Sequence, residues 1–160
     1  MAAALDRPST PLTRTDQPDR ASDIVKALTV TAPVAHFRVT GIRPTVRSLQ
    51  EIFVRAAGRE HALAAAVGYS GMLVVRLPRP TSGVPSTKIC DHAWGTAIDF
   101  NINDGEQPGN TGRTIPSRIA KLVPYFNDAG WLFEIAFYDD MHFEAAEETV
   151  KQWSNDGAFG

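Results

Sequence analysis

In HAWGTAIDFNI, residues 92–102, apolar and polar side chains alternate from Ile98 onward. Successive side chains of an extended chain point to opposite sides. Ile98, Phe100 and Ile102 therefore share one face, and Asp99 and Asn101 share the other. The pattern predicts a strand over Thr96–Ile102 that is apolar on one side and chemically armed on the other. Met141–Glu144 repeats it, with Met141 and Phe143 opposing His142 and Glu144. Met72–Leu77 does so as well, with Leu73, Val75 and Leu77 opposing Arg76. Trp131–Phe137 is a fourth, more apolar run.

Helical spacing appears between these strands. Leu49, Phe53 and Ala56 fall at i, i+4 and i+7 within Thr45–Val67, and Ser48 with Glu51 suits a capping box. Gly58 divides that stretch into two helices. Another helix is predicted to start near Pro116, with Ile119, Leu122, Val123 and Phe126 as its stripe. Pro124 should kink or shorten it, and Gly130 should stop it. The simplest assembly is α+β: a small antiparallel sheet with helices on its apolar face. The opposite face would gather Arg76, Asp99, Asn101, His142 and Glu144 into a cleft.

The 160 residues suffice for one domain with a substantial core. Residues 1–22 are rich in Pro, Thr, Asp and Arg without a period, and are expected to form a flexible N-terminal tail. Residues 23–154 form the domain, and residues 155–160 a C-terminal tail. A formal net charge of −2 gives no electrostatic reason to expect a nucleic-acid partner. No apolar run approaches the roughly 20 residues of a membrane span. The N-terminal stretch lacks the pattern of a secretory signal, so action outside the producing cell would need lysis or a delivery machine. A single cysteine, Cys90, excludes an internal disulfide framework.

His92, Asp99 and His142 are the candidate metal ligands. Two imidazoles and a carboxylate can hold one zinc ion and leave a position open for water. His92 and Asp99 are seven residues apart, about 23 Å if extended and about 10.5 Å if helical. Zinc bonds are only about 2.0–2.2 Å long, so both residues can bind one ion only if the chain bends between them. Gly95 supplies the place to bend. Asp139, three residues before His142, is placed to take a proton from the water without binding the metal; Asp140 is its rival by spacing.

The two elements CDHAWGTAID (Cys90–Asp99) and DDMHFE (Asp139–Glu144) resemble those of the zinc D-alanyl-D-alanine carboxypeptidases and L-alanyl-D-glutamate endopeptidases, which include VanY-like enzymes and many phage endolysins. The family pattern is S-x-H-x-x-G-x-A-x-D followed by an acid-x-x-His element, and the likeness spans roughly residues 45–146. It implies zinc as cofactor, held by His92, Asp99 and His142, with Asp139 as acid/base. It further implies that Arg76 contacts substrate or oxyanion, and that the substrate is the peptidoglycan stem peptide. Asp139 and Met141 match the endolysin branch better than the E-x-W-H of the carboxypeptidases. Cys90 stands where the family has Ser, and Leu132–Phe137 replaces a Gly-rich stretch.

Other residues have plainer expectations. Glu144 is expected to support a ligand rather than be one. Cys90 should be a small buried residue, His36 and His61 structural or exposed, and Trp94, Tyr69 and Tyr138 either cleft-lining or packed. A zinc-containing module that binds cell wall or a partner without hydrolysis is the alternative to a peptidase. The polar tail also suits a phage lysin or the cargo of an injection machine.

Overall fold

The structure, a computed structural model, describes residues 5–62, 67–77, 89–102, 117–133 and 141–159. It is α+β. The helices are α1 (Asp23–Leu28), α2 (Arg43–Ala57), α3 (Ser117–Asn127) and α4 (Glu147–Asn155). Strands β1 (Thr29–Val34) and β2 (Phe37–Ile42) form an antiparallel hairpin. Strands β3 (Val67–Gly71), β4 (Ala97–Ile102), β5 (Trp131–Phe133) and β6 (His142–Ala145) form a four-stranded antiparallel sheet in the order β3-β4-β6-β5.

The alternation in β4 and β6 orients the sheet. Ile98, Phe100 and Phe143 are fully buried on one face. Phe53 from α2 and Phe126 from α3 close over them. The ring centroids of Phe53 and Phe100 lie 5.7 Å apart, those of Phe100 and Phe126 also 5.7 Å, and those of Phe126 and Phe143 4.2 Å. Such aromatic pairs add roughly 0.5–1.5 kcal/mol each beyond area burial. Asp99 and His142 are direct cross-strand partners, as are Ala97 and Glu144. The register therefore places Asp99, His142 and Glu144 together on the face away from the aromatic core.

Several expectations are corrected. Met72–Leu77 is not a strand; β3 ends at Gly71. Nor does its burial alternate: Met72 and Val75, three residues apart, are fully buried, while Leu73, Val74, Arg76 and Leu77 are half-buried, and among the described residues the segment pairs with no strand. Its amides go to separate acceptors instead: Leu73 to the Thr40 carbonyl, Val74 to that of His92 and Leu77 to that of Thr13, at 3.1, 3.0 and 2.7 Å. Helix α2 starts at Arg43, with Pro44 in its first turn. Ser48 is thus mid-helix rather than capping, and its hydroxyl accepts from Trp131 Nε1 at 3.0 Å. Gly58 closes α2 as its C-cap. Helix α3 runs through Pro124 to Asn127. Pro116, and Glu134 to Phe137 of the expected fourth strand, lie outside the described residues.

The described part of the expected N-terminal tail is packed onto the domain. Leu5, Leu12 and Ala21 are buried, and the Ser22 hydroxyl donates to the Leu5 carbonyl at 2.6 Å. Scattered apolar residues in a polar segment suffice here because each meets the core separately. Among the described residues, no helix is long and apolar enough to cross a membrane.

Candidate metal centre

His92 lies in a 3-10 turn, Asp91–Trp94, that ends at Gly95. Gly95 has φ of +65°, a conformation that costs glycine little. A Cβ there would also sit 3.0 Å from the Ile42 amide nitrogen and 3.3 Å from Gly41 Cα. Glycine thus serves both the bend and the close approach to β2. The bend returns the chain into β4, so that Asp99 comes back beside His92. The Thr96 hydroxyl donates to the Asp91 carbonyl at 3.0 Å and braces the turn.

His92 Nε2, His142 Nδ1 and an Asp99 oxygen form a nearly equilateral triangle. The sides are 3.1 Å from His92 to Asp99, 3.2 Å from His92 to His142 and 3.0 Å from His142 to Asp99. Four ligands set tetrahedrally at about 2.0–2.1 Å from an ion lie roughly 3.3 Å from one another, close to this triangle. His92 is buried, and Asp99 and His142 are half-buried. The group has the composition and spacing to hold a metal ion.

The outer nitrogens of both rings are also engaged. His92 Nδ1 lies 2.8 Å from the Met72 carbonyl oxygen, which only accepts, so this nitrogen is the donor. His142 Nε2 donates to Glu144 Oε2 at 3.3 Å. With the outer nitrogens protonated, the neutral rings point lone pairs at each other and at the Asp99 carboxylate. A cation in the triangle relieves that conflict, and partners of this kind commonly fix metal-binding tautomers.

Charge follows the same geometry. When the inner ring nitrogens carry protons instead, the conflict is relieved another way: burial works against ionised Asp99, but hydrogen bonds from His142 and His92 and the positive charge of the rings outweigh it, holding Asp99 well below the usual carboxylate range. Asp91 is pushed up to about 7, first by burial, then by its hydrogen bond to Glu144 and repulsion from that residue; His142 opposes the rise. Asp91 hydrogen-bonds Glu144, which in turn accepts from His142, so the three form a chain ending at the ligand set.

His92, Asp99 and His142 are therefore brought together. Arg76 is half-buried; its Nη1 donates to the Leu77 carbonyl at 3.3 Å, and its charge acts on Cys90, whose thiol burial pushes up. Asp139, Asp140 and Tyr138 lie outside the described residues. Trp94 is buried, with Nε1 donating to the Asp6 carbonyl at 2.6 Å. His36 and His61 are exposed. Asp91 and the Met72 carbonyl were not anticipated. A carboxylate adjoining a candidate ligand was the available signal for Asp91; nothing in a sequence marks a backbone carbonyl.

Glu144→Gln keeps the side-chain shape but removes the charge that accepts from His142 Nε2. Metal affinity is expected to fall about 10–100-fold, with the fold retained, as measured by zinc competition titration and circular dichroism. Compared with protein-family models, curated proteins and solved structures, the chain matches none.

Proposed function

We propose that the protein is a zinc-dependent peptidase that hydrolyses the peptidoglycan stem peptide, as an endopeptidase of the L-alanyl-D-glutamate type or a D-alanyl-D-alanine carboxypeptidase. The observation that carries this is the lone-pair triangle of His92, Asp99 and His142, set by β4, β6 and the turn before them. Its order along the chain, His-x6-Asp and then acid-x-x-His, supports the peptidase assignment. Two imidazoles and one carboxylate suit zinc in an open, catalytic arrangement. Zinc, when bound, acidifies water and polarises a carbonyl.

The chain's own residues would do the rest. His92, Asp99 and His142 hold the ion on the polar face of the sheet, which forms the floor of the proposed cleft. Asp139 accepts the proton of the attacking water and returns it to the leaving amine. Arg76 neutralises the oxyanion or a substrate carboxylate. The wall would be reached after lysis or delivery.

The test is digestion of purified peptidoglycan by the zinc-loaded and chelator-stripped protein, with released fragments identified by mass spectrometry. Zinc-dependent release of stem-peptide fragments is expected, and the new termini name the bond. Full activity without metal sinks the proposal. Zinc retention with wall binding but no fragments makes the protein a binding module.

A further inference from the structure

We propose that residues 5–17 are a strap that positions the metal centre, and that Asp16 is the positioning residue through which the strap acts. This rests on the metal assignment above. The strap binds on both sides of His92. On one side, Asp16 Oδ1 accepts the Val75 amide at 2.8 Å, the Gln17 amide donates to the Val75 carbonyl at 2.9 Å, and the Leu77 amide donates to the Thr13 carbonyl at 2.7 Å. On the other, the Asp6 carbonyl accepts from Trp94 Nε1, two residues beyond His92.

The segment held in this way is the one on which His92 depends. Met72 supplies the carbonyl that accepts from His92 Nδ1, and the Val74 amide donates to the His92 carbonyl. Met72–Leu77 has no strand ladder of its own, so its position comes from β2, from His92 and from the strap. Buried Leu5 and Leu12 fasten the strap to the core. Releasing it would let the Met72 carbonyl move, free His92 to change tautomer and direct a proton at the ligand triangle. Of the strap's bonds to Val75 and Leu77, only the one from Asp16 uses a side chain, and a carboxylate acceptor makes it a strong bond.

The test uses the full-length protein. Zinc affinity is measured by competition with a chromophoric chelator. The His92 tautomer is read in the metal-free protein by nitrogen-15 NMR of the imidazole. Asp16→Ala is expected to weaken zinc binding about tenfold, at the lower end of the range for groups that orient ligands, and to mix the His92 tautomers. Asp16→Asn, which keeps an acceptor oxygen, is expected to restore both. Trp94→Phe, which cuts the second tie but keeps the ring's packing, should move both readouts in the same direction and serves if Asp16→Ala does not fold. Lower thermal stability with zinc affinity and tautomer unchanged would overturn the proposal. If the parent protein binds no zinc, the metal assignment fails, and an unaltered tautomer in Asp16→Ala overturns the strap on its own.

Discussion

His142→Ala is expected to weaken zinc binding by two to three powers of ten while the protein stays folded. Structural zinc sites bind with roughly 10–16 kcal/mol shared over four ligands. One ligand is then worth about 2.5–4 kcal/mol, or two to three powers of ten in affinity. The loss should be local, because His142 lies on the polar face of β6 while Phe143 on the other face keeps its contacts with Phe100 and Phe126. Competition titration with a chromophoric chelator, beside a far-ultraviolet circular dichroism spectrum, checks this. A variant with the parent's zinc affinity would remove His142 from the ligand set.

The second large effect falls on turnover. Asp139→Ala is expected to keep zinc and lose about 10²–10⁴-fold in stem-peptide hydrolysis, the usual worth of a positioned general acid/base. Its basis is the acid-x-x-His spacing before His142. Asp140→Ala separates the two candidates, since only the true proton acceptor should show the full loss. If Asp139→Ala loses its metal instead, that carboxylate is a ligand. Rates on purified wall, with zinc content measured in the same samples, give the answer.

The architecture was legible where one face of a strand is buried. From Ile98 in β4 and throughout β6 the period of two is unbroken, and a buried partner face makes register a strong constraint. The sequence alone thus turns Ile98, Phe100 and Phe143 inward and Asp99 and His142 outward. The bend at Gly95 was legible for a similar reason: ligand spacing demanded it. Met72–Leu77 was not: its sequence alternates, yet the buried side chains are Met72 and Val75, three residues apart, because its amides bond to separate loop and strand carbonyls rather than to a ladder that would enforce a period of two. The start of α2 was misplaced because Ser48 and Glu51 satisfy the capping pattern, while Pro44 sets the true first turn. The packing of residues 5–22 was hidden because Leu5 and Leu12 contribute singly, without the periodicity that marks a helix or strand.

The pairing of Asp99 with His142 across β4 and β6 has a wider consequence. A slip of one place between these strands would bring Ile98 or Phe100 opposite His142, or turn Asp99 toward the aromatic interior, and no cation could then be caught. At the proposed site, metal capture and correct strand alignment would therefore be one event seen from two sides. Zinc uptake during refolding would act as a proofreading signal for the sheet, scoring only molecules whose two central strands have locked in step.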